Sequence, residues 1–272
     1  HGRIWRVSYV GDHGKPGSRA PDLTQAPVNE LIDFLSDENL MIRVHATHQL
    51  VHRVGREAVQ PIKSKLAGGL DAKQRAHALW VLARLDALDA ETIAQLAGDQ
   101  ERLVRVHLMK ALAEQTEWQA GERVHVRRAL TDSDAFVRRA AAEALGRHPH
   151  PDDCARLIDL WNRTAEEDTH LIHAIRIALR NAIGTLENLP ALARDYDNEP
   201  TYLSRVADIC LGLRNAQSAR FLLDYSQRAK PDEERLNEVI HHIGRYVDAQ
   251  SLSEFYNLLK SFDEDPEPVR LG

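Results

Sequence analysis

Apolar residues recur along this chain at three- and four-residue intervals, and the intervals themselves repeat. Residues 132–147 open on Asp132, reach Val137-Arg138, and then place Ala141, Ala144 and Leu145 at the i, i+3, i+4 spacing of one helix face. The same text stands upstream. Asp99 precedes Val104-Arg105 and then Leu108, Ala111 and Leu112; Asp37 precedes Ile42-Arg43 and then Ala46 and Leu50. A weaker copy has Gln74-Arg75, then Ala78, Val81 and Leu82, with Gly69 where the aspartate would stand. The arginines lie 32, 30 and 33 residues apart, the period of a repeated helix pair.

This rhythm predicts alternating helices to the end of the chain. First helices fall near 28–36, 57–67, 90–98, 119–131, 152–164, 187–196, 216–228 and 249–262; second helices fall near 39–54, 72–86, 101–115, 134–147, 169–184, 201–214 and 233–247. Pro27, Pro151, Pro200 and Pro231 stand at or just before starts, where a missing N–H costs little. Asp132 or Asp134, and Asp168, are candidate N-caps. Short loops make each pair antiparallel. Residues 1–10, with Ile4, Trp5, Val7, Tyr9 and Val10, read instead as a β-strand, and residues 11–27, broken by glycine and proline, as a linker. Residues 1–27 are thus expected to close an upstream domain. Residues 28–272 form the helical array, cut short where residues 265–270 approach another Val-Arg pair. The chain opens on His1 and reads as a piece of a longer protein.

Composition narrows the function. With 43% hydrophobic, 28% charged and 6% aromatic residues, the chain suits packed helices better than sheets. A net charge of −6 argues against nucleic acid as a partner, because phosphate neutralisation needs a basic surface. No apolar run is long enough for membrane insertion. Cys154 and Cys210 make no metal spacing and no CxxC, and are expected to be buried, reduced thiols. There is no GxSxG, HExxH or glycine-rich phosphate loop, and the acidic clusters at 166–168 and 263–265 form no acid–base pair. No enzyme activity, cofactor or metal is expected.

An aspartate, then Val/Ile-Arg six residues on, then alanine in 30–40-residue helix pairs resembles HEAT repeats. The resemblance covers residues 28–262, strongly for the first four pairs. It implies an all-α, armadillo-like, right-handed superhelical solenoid carrying a short N-terminal extended arm. It also implies a polar ladder of Asp37, Arg43, Arg75, Asp99, Arg105, Asp132 and Arg138, in which each aspartate closes a turn and each arginine reaches a turn carboxylate. The rung at Gly69 lacks its acid.

In HEAT arrays the second helices line the concave side. There the outward positions read Val44, His48 and Val51, then Ala76, Trp80 and Ala83, then Val106, Lys110 and Ala113, then Arg139, Glu143 and Gly146. The first three sets are largely apolar, so Trp80, flanked by Val44, His48, Val106 and Lys110, is expected to face a protein partner. That partner is the upstream domain, the 1–27 arm or a second chain. The alternative is a shifted helix phase that buries Trp80 in the core. His45, His77 and His107 share one repeat position. Helices stack ~8–10 Å apart, too far for three such rings to share one zinc. Local hydrogen bonds are expected, with a pH-responsive seam as the alternative.

A second resemblance rests on Gly2-Arg3-Ile4-Trp5-Arg6-Val7, the linker and the helix pairs. This order is similar to large exported proteins of planctomycete-type bacteria, which join a sorbosone-dehydrogenase-like propeller, HEAT repeats and a haem-binding cytochrome c domain. It implies an exported or periplasmic scaffold, binding adjacent domains of its parent chain or a separate protein. The alternatives are a freestanding peptide- or protein-binding HEAT module and a HEAT-like DNA glycosylase, which wants a basic groove with aromatics flanking a carboxylate.

Overall fold

The computed structural model describes residues 21–118, 120–186, 189, 199–229 and 231–263; the expected strand at 3–9 and the helix at 187–196 lie outside the described residues or almost wholly so. The fold is all-α, in stacked helix pairs, and divides into two compact units, His1–Leu108 and Met109–Gly272.

In the first unit, α1 (Val28–Asp33) runs on into a 3-10 turn (Phe34–Ser36) and packs on α2 (Leu40–His48). The expected long helix over 39–54 changes register after His48. A π-helical stretch, Gln49–Val54, and a 3-10 turn, Gly55–Ala58, carry the chain into α3 (Val59–Leu66). The bend turns on Gly55, whose φ of 65° and ψ of −138° suit a residue without Cβ. The helix α4 (Ala72–Arg84) opens on a capping box between Asp71 and Gln74. It ends with Asp86 at φ 49° and the Ala87 amide donating to the Leu82 carbonyl. α5 (Ala90–Ala97), capped by Asp89, and α6 (Arg102–Glu114) follow, the unit division falling within α6. Leu31, Ile32, Leu50, Ile62, Leu79 and Leu82 are fully buried at the centre.

The second unit holds α7 (Ala120–Ala129), α8 (Ala135–Arg147), α9 (Cys154–Arg163), α10 (Thr169–Ile183), α11 (Pro200–Cys210), α12 (Ala216–Ala229), α13 (Glu233–Tyr246) and α14 (Leu252–Asp263). Asp134, rather than Asp132, caps α8, and Asp168 caps α10. Second helices pack side by side: α8 lies along α10, and α10 touches α11. Cys154 and Cys210 are both buried and free, and burial pushes the Cys154 thiol up to about 12.

The repeat text encodes the turns. The carboxylates of Asp37, Asp99 and Asp132 each accept the amide two residues on, at 2.7, 2.8 and 2.9 Å. The arginine six residues later closes the turn from the other side. Nη1 of Arg43, Arg105 and Arg138 donates to the Asp37, Asp99 and Asp132 carbonyls at 2.6, 2.7 and 2.8 Å, and to the next carbonyl at 3.0 Å. The arginine is thus first a cap on its own turn.

The rung between pairs is seen at Arg75, which grips the Asp99 carboxylate with Nε at 2.6 Å and Nη2 at 2.9 Å. Where Gly69 replaces the aspartate, Arg43 Nε donates instead to His77 Nε2 at 3.3 Å. With that nitrogen accepting, His77 Nδ1–H donates to Thr47 Oγ1 at 3.1 Å, and the threonine hydroxyl donates to the Arg43 carbonyl at 2.8 Å. Replacing Asp99 by alanine removes both the turn acceptor and the bidentate partner of a half-buried guanidinium, so a loss of about 2 kcal/mol is expected. Asp99→Asn, which keeps the turn acceptor, is expected to lose less. Urea unfolding of the two variants checks the order.

The other histidines of the column also bond locally. His45 Nε2 meets the Gln49 amide at 3.3 Å, and His107 Nδ1 accepts from Trp80 Nε1 at 3.0 Å. Burial lowers the pKa of His77, helped by Arg43 and His107; burial likewise lowers His148 and His242. The unfolded chain therefore binds more protons than the folded one as pH falls below the ordinary 6.5. Stability is complete above that value and is lost as pH drops through the lowered folded values. The urea midpoint is expected to fall between about pH 7.5 and about pH 5.5, and His77→Gln is expected to flatten the fall.

Candidate functional site

The second-helix positions picked out in the sequence are only partly open. Ala76, Ala113 and Gly146 are buried; Val44, Val51, Trp80, Ala83, Val106 and Arg139 are half-buried; His48, Lys110 and Glu143 are exposed. The physical reason is lateral packing. Second helices lie beside one another, so positions facing away from the first helix partly meet the next second helix. Trp80 illustrates this. It is neither in the two-helix core nor free, but reaches from α4 to His107 on α6, and Arg84 stands 5.8 Å over its ring. His48 lies edge-on to His52 at 5.8 Å. Among the described residues, no group of three or more histidine, cysteine, aspartate or glutamate side chains is placed to hold a metal ion.

A cleft of about 640 Å³ opens in the second unit, along the exposed faces of α10 and α11. Thr169, His173, Arg176, Ile177 and Arg180 come from α10 at one-turn spacing, Asp208, Ile209 and Gly212 from α11 and its end, and Glu166 from the loop before α10. The buried face of α10, with Leu171, Ala174, Ile175, Ala178, Leu179 and Ala182, fixes the opposite stripe toward the cleft.

Two features set its charge. The Arg176 guanidinium stands 5.4 Å over the ring of Trp161, and Arg205 stands 4.4 Å from the same ring, which is only 4% exposed. Asp208 is held by an ion pair with Arg235, which also binds Glu238 at 3.0 Å. Sequence reasoning missed this cleft because the aspartate–arginine text fades before it. The signal was present all the same in His173, Arg176, Ile177 and Arg180 on the exposed stripe of one helix.

The second unit also contains a buried ion cluster. Asp153, 1% exposed, accepts from Arg123 Nη1 and Arg127 Nε, each at 2.5 Å. Arg123 Nη2 donates to the His148 carbonyl at 3.0 Å, the His148 ring stacks on Trp118 at 4.1 Å, and Arg123 stands 5.0 Å from that indole. Asp153 ties both arginines of α7 to the start of α9, although Arg127 Nη2 and His148 Nε2 are buried without a hydrogen-bond partner among the described residues, and the cluster reads as a structural clamp.

Comparison with known families gives a match to HEAT repeats over residues 90–180. Comparison with curated proteins gives no match. The helix packing is typical of a HEAT or armadillo solenoid, a generally non-catalytic interaction scaffold. The likeness to propeller–HEAT–cytochrome c proteins is not upheld. The family match is to HEAT repeats alone, and the described residues form helices and no strand. The six-residue Gly2–Val7 text was too short to carry a three-domain architecture, and the dehydrogenase and haem setting is withdrawn with it.

Proposed function

We propose that this chain is a peptide- or protein-binding repeat module in its own right, presenting its second helices to the partner. The observation that carries this reading is the α10–α11 cleft: preformed, open, floored by isoleucines and edged by fixed polar groups. Its described lining includes no aromatic residue flanking a carboxylate, which speaks for binding over glycosylase chemistry. Trp80, Val44, His48, Val106 and Lys110 are a second proposed contact region, limited to the parts that lateral packing leaves open.

The test is selection of peptides from a display library against the 272-residue chain, followed by titration of the selected peptides. Ile177→Trp, which fills the cleft, is expected to weaken them at least tenfold. Val124→Trp, at an exposed position on the first helix α7, is expected to leave them unchanged. Equal affinity for both variants would place binding elsewhere.

A further inference from the structure

We propose that the α10–α11 cleft takes a peptide that alternates acidic and aliphatic residues. This rests on the reading of the chain as a peptide-binding module and names the chemistry its partner carries. Of the ionisable side chains lining the cleft, Arg176 and Arg180 are cations one turn apart on α10, His173 is a turn earlier, and Glu166 and Asp208 are the carboxylates. The Asp208 charge is answered by Arg235, so Arg176 and Arg180 outweigh Glu166 and set the sign. The chain as a whole carries −6, and a basic cleft on an acidic protein selects by charge against other surfaces like its own.

Arginine is suited to carboxylates because its planar fork binds both oxygens at once. Arg176 is already oriented by its stack on Trp161, which lowers the ordering cost of binding. Ile172, Ile177 and Ile209 line the same cleft and call for apolar side chains in the same ligand. A nucleic-acid strand is a poorer fit. It needs cations along a continuous path and aromatic faces for its bases, and this cleft offers two arginines, two carboxylates and no aromatic among its described lining residues.

The experiment is fluorescence anisotropy with the full chain and three labelled probes: a short glutamate–leucine peptide, its lysine–leucine counterpart, and a single-stranded oligonucleotide of equal length. The glutamate–leucine peptide is expected to bind best, and more weakly as salt rises. Arg176→Glu with Arg180→Glu is expected to lower its affinity at least tenfold. Arg180→Glu alone, which leaves the Trp161 stack in place, is expected to cost several-fold, and Arg156→Glu on the exposed face of α9 nothing. Circular dichroism confirms that each variant is folded. Tighter binding of the lysine peptide or the oligonucleotide, or no effect of the double reversal, overturns the proposal. So does a wild-type dimer that the double reversal dissociates in sedimentation, since the cleft is then a self-interface. If library-selected peptides lose affinity on Ile177→Trp yet are not acidic, the module reading stands and this inference alone falls.

Discussion

Replacing Asp153 by alanine is expected to cost the fold about 3–5 kcal/mol, the largest loss for a single side chain in the second unit. The carboxylate is almost fully buried and is the shared acceptor of Arg123 and Arg127. Removing it strands two guanidiniums, about a fifth exposed, without the charge that offset their desolvation. The damage extends to the His148 carbonyl and the Trp118–His148 stack, which Arg123 spans. Asp153→Asn keeps the shape but not the charge and is expected to fall between. Replacing all three members with apolar residues is expected to recover much of the loss, because the cost lies in the unpaired charge. Chemical denaturation of the three variants tests the order.

The second large effect is expected at Gly146. A Cβ built there lies 3.2 Å from Ala178 Cα and 3.4 Å from Ala178 Cβ, so α8 and α10 touch backbone to backbone. Asn181 Nδ2 donates to the Gly146 carbonyl at 2.7 Å across the same seam. Gly146→Val forces the helices apart, and a loss of about 2–3 kcal/mol is expected. Gly146→Ala trades a tight contact against better helix propensity and is expected to lose much less. Differential scanning calorimetry distinguishes the two. Because α10 carries the arginines of the cleft, the valine variant is also expected to weaken peptide binding.

These two sites mark the limit of what the sequence made legible. The helix pairs, their period and most boundaries follow from i, i+3, i+4 spacing, which local geometry enforces. The turns were legible as well, because Asp37, Asp99 and Asp132 close them through neighbours two residues away. What depended on the next repeat was not. Gly146 was assigned to an open face because its packing against Ala178 comes from 32 residues on. The arginines were assigned chiefly to carboxylates, while Nη1 serves backbone carbonyls that a sequence pattern does not display. Asp153 was passed over because its partners lie 26 and 30 residues upstream, outside any local motif. The cleft escaped for the same reason, since α10 and α11 meet only in space. The propeller and cytochrome setting rested on too few residues to survive comparison.

Hydrogen–deuterium exchange on the 272-residue chain, with and without the tightest selected peptide, tests the central claim most directly. The account predicts slowed exchange in α10 and α11, centred on residues 173–180 and 208–212, with α7, α9 and α12 unchanged. Protection confined to those first helices, or no protection anywhere at saturating peptide, would contradict it.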